Sequence, residues 1–178
     1  MRRDRPPNAR LSIGSPRPHA TAIAPACIGN FGPGLDVLGV AVAGAVDRVT
    51  VERDERPGVV IVSSGHPDIT TDPARNTAGI AAAAVLRHAS TDVGVRLTVV
   101  KGLPLAGGQG GSAASAVAGA VATNRLLGDP LDLATLVDCA VEAESVVSGR
   151  HADNVGAQLL GGVVLVRSLE PIDVVQLA

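Results

Sequence analysis

Gly107, Gly108, Gly110 and Gly111 separate an apolar run from an alanine-rich one, and this junction constrains the chain more than any other feature. The run Val95–Val100 predicts a strand, and the run Ala113–Leu127 predicts a helix. The first turn of a helix carries unpaired N–H groups and the positive end of the peptide dipoles, so it suits an anion. Glycines there let the chain curl into a concave nest that a phosphate can approach closely. Taken alone, the same glycines serve equally well as an ordinary strand-to-helix turn. Two familiar phosphate loops can be tested against them. A P-loop ends in Gly-Lys-Ser/Thr, whereas the one lysine of this chain, Lys101, precedes the glycines. Gly108, Gly110 and Ala113 fit a dinucleotide-type G-x-G-x-x-A. However, the acids that follow, Asp129 and Asp132, flank Pro130 at a helix start and do not end a strand.

Composition removes several classes of function. At 178 residues, 46% of them hydrophobic, the chain predicts one packed domain. It has a single Phe and no Trp or Tyr, so its core must be built from Val, Leu, Ile and Ala. Base stacking on aromatic rings is unavailable, and a net charge of −2 gives no electrostatic basis for nucleic-acid binding. Charges and glycines interrupt every apolar run short of a membrane span. Cys27 and Cys139 form no disulfide framework and have no metal-ligand spacing. Residues 1–18 are proline- and arginine-rich with no apolar segment behind them, and they predict an unstructured tail, not a signal peptide. Residues 19–178 are then the folded domain, and a cytoplasmic enzyme is the expected class.

Along the domain, strands are predicted at Ala20–Ala24, Val37–Val42, Arg48–Arg53 and Val59–Ser63, with a Pro/Gly-rich loop over Pro25–Asp36. The polar side chains of that loop, Asn30 and Asp36, are candidates for ligand contact, or for an Asx turn and a solvated carboxylate. Asn76 is placed to cap a helix over Thr77–Ala89. A further helix is predicted over Leu131–Val147. His151, Asp153 and Asn154 follow, then Gly161-Gly162 and strands at Val163–Arg167 and Asp173–Leu177.

Three segments together resemble the GHMP kinases, and within them the homoserine kinases. The phosphate loop of that superfamily, Pro-x-x-x-Gly-Leu-Gly-Ser-Ser-Ala, is similar to Pro104-Leu105-Ala106-Gly107-Gly108-Gln109-Gly110-Gly111-Ser112-Ala113, followed by Ala114. Gln109 stands for the usual leucine and Gly111 for the first serine. The segment Pro25–Gly39 resembles Pro-x-Ser-x-Ala-Asn-Leu-Gly-Pro-Gly-Phe-Asp-x-Leu-Gly, with Asn30, Gly32, Pro33, Gly34, Asp36, Leu38 and Gly39 in register. Cys27, Gly29 and Leu35 depart from it. His151, Asp153, Asn154, Gly161 and Gly162 match His-x-Asp-Asn-Val-x5-Gly-Gly.

The resemblance implies an α+β fold of the ribosomal protein S5 domain 2-like type, a mixed sheet with helices on one face. It implies transfer of the γ-phosphoryl group of ATP to L-homoserine, on the route to threonine. ATP would lie on residues 104–114, with Asn76 beside the adenine. Ser112 and a glutamate, Glu144 before Glu142, would hold Mg2+. Asn30, Asp36, His151 and Asn154 would bind the amino acid, with Asp36 opposite its ammonium group. His151 and Asn154 would also serve catalysis, and Asp153 would brace the loop. The resemblance covers the family's N-terminal domain only and leads to the expectation that its C-terminal domain is absent here, so a separate C-terminal domain or a homodimer is the expected partner. Two other readings stay open: a sister kinase of the mevalonate kinase type, and a truncated, non-catalytic nucleotide-binding fragment, towards which Gln109 and Gly111 point.

Overall fold

In the computed structural model, residues 17–177 are described, apart from the side chains of Asn30 and Phe31. Residues 1–16 of the expected tail lie outside that range. Arg17 and Pro18 already belong to the domain, because Arg17 donates its N–H to Leu126 O (3.1 Å) and Pro18 O accepts from Arg53 N (3.3 Å).

The first elements among the described residues form a long antiparallel hairpin, β1 (His19–Phe31) and β2 (Gly34–Asp54), closed by a turn at Gly32-Pro33. Gly32 has φ +60°, a conformation glycine adopts at little cost. This corrects the expected loop over Pro25–Asp36: all of that segment except the turn is strand. The prolines and glycines had suggested a loop. Pro25 is instead tolerated where the pairing register slips, between Pro25 and Ala26, and the glycines serve the turn and close packing. The two strands expected at 37–42 and 48–53 are one strand, β2, with that irregularity between its halves.

β3 (Val59–Ser63), α1 (Thr77–His88) and β4 (Gly94–Val100) follow, then α2 (Gly111–Leu126), α3 (Leu133–Ser145), α4 (Asp153–Leu160), β5 (Val163–Leu169) and β6 (Ile172–Gln176). The sheet runs β3-β4-β2-β5-β6, with β1 on β2, and β3–β4 is its parallel pair. One edge of β2 holds β1, while the other serves β4 with residues 48–54 and β5 with residues 38–40. Helix α4 lies in the third matched segment, where sequence periodicity predicted none; it is only eight residues long, and its first turn is polar. The fold is the expected mixed α+β one, with a mixed sheet and four helices among the described residues.

One face of the sheet is apolar and covered. Ala20, Ala22, Ala24, Val49, Val51, Val95, Leu97 and Val99 are all buried, while their neighbours Ile23, Glu52, Arg96 and Val100 point outward. Alanines of α1 and α2 meet this face. A Cβ on Gly119 of α2 would come within 2.8 Å of the Ala78 carbonyl oxygen of α1, so small residues let these helices approach closely. A core without large aromatics reaches interior density through such short contacts.

Candidate active site

The glycine-rich junction is built as a cradle at the start of α2. Gly110, the N-cap of α2, has φ +67° and ψ +34°, and its carbonyl accepts the first helical bond from Ala114 N (2.9 Å). Gly108 is also left-handed, and so is Ala106 at φ +54°. Three left-handed residues in five turn successive peptide planes sharply, which is the geometry of an anion nest. Pro104 to Ser112 line a cavity of about 480 Å3, together with Ser64, Asn76, Thr77, Lys101 and Ser115. Asn76 therefore borders the cleft, but its side chain is committed. Its Oδ1 accepts from Ala78 N (3.0 Å) and Gly79 N (3.3 Å), and its Nδ2 donates to Thr70 O (2.9 Å), so it caps α1 as expected.

Contacts from two other segments latch the cradle. Cys27 N of β1 donates to Gln109 O (3.1 Å), and Gln158 Nε2 of α4 donates to Gly110 O (2.9 Å). A Cβ on Gly110 would run into the Cys27 sulfur. The role of Gln109 in this latch falls to its backbone, which any residue provides. The three matched segments thus converge on one point, since the Cys27 thiol also donates to Asn154 Oδ1 (3.1 Å). Burial, reinforced by the nearby Asp153 and Glu144 carboxylates, pushes the Cys27 thiol up to about 12. It remains a proton donor to Asn154 at every physiological pH.

Helix α4 reaches this position because β1 and β2 carry glycine beneath it. A Cβ on Gly39 would overlap the Asp153 carbonyl oxygen, and one on Gly29 would overlap the Asp153 carboxylate. Gly161 and Gly162 end α4 at φ +77° and +64°, and Gly162 O accepts from Ala41 N (2.9 Å), which ties the segment back to β2. Asp153 is buried at the first residue of α4, where the helix dipole favours a carboxylate.

At the far end of the hairpin, Asp36 has φ +58° and its Oδ1 lies 3.2 Å from His151 Nδ1. Two residues expected to meet the same substrate are therefore neighbours, 115 positions apart in the chain. Asn30 lies in β1, one residue before its end, and its side chain is outside the described residues.

The two glutamates separate cleanly. Glu142 is exposed, and its Oε2 pairs with Arg87 Nη2 at 2.6 Å, away from the cradle. Glu144 is 2% exposed; its Oε1 accepts from Ser148 Oγ (2.5 Å), and its Oε2 is buried without a hydrogen-bond partner. An orphaned carboxylate oxygen is costly unless it meets a cation, so Glu144 fits a divalent metal and Glu142 does not. Among the described residues no group of three His, Cys, Asp or Glu side chains forms a metal cage by itself. A cation here would need phosphate oxygens or water as further ligands.

Sequence reasoning passed over Asp47, Lys101 and Ser115. Asp47 is fully buried on β2. It pairs with Lys101 Nζ, accepts Ser115 Oγ (2.8 Å), and takes the N–H groups of Gly102 and Leu103 on its Oδ1 (both 3.1 Å). The available signal was a lone acid between an apolar run and the strand expected over Arg48–Arg53.

Residues 76–162 match the family described as GHMP kinases N terminal domain. The chain is 46% identical over 156 residues to a homoserine kinase of Arabidopsis thaliana, covering 84% of this chain and 42% of that protein. It is 40% identical over 169 residues to a homoserine kinase of Xylella fastidiosa strain M12, covering 93% and 52%. The chain belongs to the GHMP kinases. The crystal structure of homoserine kinase from Cytophaga hutchinsonii superposes with a TM-score of 0.86 at 38% identity, over 94% of this chain and 54% of that one. The mevalonate kinase of Methanococcus jannaschii superposes at 0.69 with 11% identity, a likeness of fold alone. This GHMP kinase chain spans about half the length of the curated relatives it matches. No helix among its described residues is long and apolar enough to cross a membrane.

Proposed function

We propose that this chain acts in transferring the γ-phosphoryl group of ATP to the hydroxyl of L-homoserine, giving O-phospho-L-homoserine. The observation that carries the reading is the convergence of Cys27, Gly110 and Asn154, which joins the phosphate cradle to the His-Asp-Asn segment in a chain 37–46% identical to several homoserine kinases. The amides of Gly107–Ser112 would receive the ATP phosphates and hold the γ-phosphoryl group in place. Ser112 Oγ and Glu144 Oε2 would hold a magnesium ion, which when bound neutralises charge on the phosphate oxygens. Asp36 would meet the homoserine ammonium, and Asn30, His151 and Asn154 would turn its hydroxyl in line with the phosphorus. With Oδ1 engaged by the Cys27 thiol, Asn154 would donate to the substrate through its Nδ2. No general base is assigned, because Asp153 is buried beneath Gly29 as a brace.

The test is ADP release with homoserine, mevalonate and galactose as acceptors. Because the chain spans half the length of its relatives, it is assayed alone and with the C-terminal half of a homoserine kinase added. Turnover with homoserine supports the reading, and the larger rate is expected with the added half. Turnover with mevalonate and none with homoserine assigns a sister kinase. ATP binding without turnover in either mixture assigns a non-catalytic nucleotide-binding domain, the reading that the lost serine at Gly111 favours.

A further inference from the structure

The buried cluster under the phosphate loop has no part in the reading above. Lys101 follows β4 with its side chain 6% exposed, and its ammonium has three protons. All three are directed inside the protein: to Asp47 Oδ2, to Gly111 O (2.7 Å) and to Ser115 Oγ (3.0 Å). Gly111 is the first residue of α2, so the lysine binds a carbonyl whose peptide plane belongs to the cradle itself. Asp47 meanwhile grips the backbone leaving β4 through Gly102 N and Leu103 N. One buried acid and one buried base therefore hold both ends of the loop, its entry from β4 and its exit into α2.

We propose that the Asp47–Lys101–Ser115 cluster is a positioning strut that fixes the amide directions of the phosphate cradle before nucleotide arrives, and that Lys101 is not itself a phosphate ligand. The inference deepens the nucleotide-binding part of the proposed function and rests on it. Loops of this kind gain affinity when the binding geometry exists in advance, because the cost of ordering then falls on folding and not on binding. A buried pair is also a sensitive device: removing one partner strands the other charge, whereas removing both charges together leaves a neutral site.

The deciding variant is Asp47→Asn combined with Lys101→Met. The introduced carboxamide keeps an oxygen for the amides of Gly102 and Leu103 and gives an N–H to Ser115 Oγ, which keeps its own 3.3 Å contact with Gly111 O. Of the ties to the loop, only the Lys101 bond to Gly111 O is lost. The melting midpoint should stay within a few degrees of the unsubstituted chain. ATP affinity, read by titration of the loop amide resonances, should fall at least about tenfold, as for one charge-assisted hydrogen bond. Without ligand, the Ala114 and Ser115 amides in the first turn of α2 should exchange about tenfold faster. A second variant, Lys101→Arg, keeps the charge pair but offers a planar fork that cannot serve three acceptors around one nitrogen. It should loosen ATP in the same direction if the double variant fails to fold. Unchanged ATP affinity and exchange in the folded variants would overturn the strut. Lost ATP affinity with unchanged ligand-free exchange would overturn it too, by making Lys101 a direct ligand. If the unsubstituted chain binds no ATP, the nucleotide reading falls, while the exchange measurement still decides whether the strut orders α2.

Discussion

The two ends of the cleft are built differently. At the phosphate end the loop is held from inside the protein: Gln109 O and Gly110 O are latched from β1 and α4, and Asp47 and Lys101 are buried beneath the loop. At the hairpin end, Leu35 is 64% exposed and Val37 40%, and the Asp36–His151 pair faces solvent. A pair in water holds its partners weakly, while the same groups under a bound ligand would interact in a lower dielectric. The nucleotide end is shaped before ligand binds, and the acceptor end leaves room for the ligand to complete it.

That contrast can be broken most directly at Gly110. A Gly110→Val chain must place a side chain against the Cys27 sulfur from a left-handed backbone, so the loop itself has to move. ATP binding should be lost in a titration, and the urea midpoint should fall by the equivalent of about 1–3 kcal/mol. Unchanged affinity would mean that the cradle does not hold phosphate. At the other end, Asp36→Asn should weaken homoserine by about 1.5–3 kcal/mol, at least about tenfold, and leave ATP nearly unaffected. Equal weakening of both ligands would reduce Asp36 to a turn former.

Smaller effects sharpen the comparison. Gly32→Ala in the hairpin turn meets nothing within 4 Å, so its cost is the left-handed backbone alone, about 1 kcal/mol in denaturant unfolding. Gly39→Ala, driven against the Asp153 carbonyl, should cost clearly more. Leu35→Ser should change stability by no more than about 0.5 kcal/mol, because the side chain is already in water. The faintest signal is chemical. With a thiol pushed up to about 12, Cys27 at pH 8 is thiolate in only roughly one molecule in ten thousand. Native protein should therefore resist alkylation at Cys27 until it is unfolded, and rapid native labelling would show that the latch over Asn154 opens.

The sequence was most legible where one residue type has one backbone use. Gly107–Gly111 announced a cradle before α2, Asn76 announced a cap, and the run Val95–Val100 announced the strand that leads into the cradle. It misled where proline and glycine have two uses. Pro25, Gly29 and Gly34 read as a loop, yet they lie in strands, and Gly29 of β1, like Gly39 of β2, is required because α4 packs onto the backbone there. Helix α4 was missed for a related reason: eight residues with a polar first turn show too little periodicity to register, and packing on β1, β2 and β5 supplies what local preference does not.

By itself the sequence determined the element types around the phosphate loop, the aliphatic core and the set of residues that matched together as three segments. Those depend on short-range backbone preference and on spacing along the chain. Only the tertiary structure decided that Asp36 faces His151, that Glu144 and not Glu142 has a buried unpaired oxygen, and that Asp47 lies under the loop with Lys101. Each of these joins residues far apart in sequence, or sets neighbours apart by burial, and the energy of such a contact depends on burial and on the partner it meets. No local pattern records either quantity until the sheet and its helices have closed over the site.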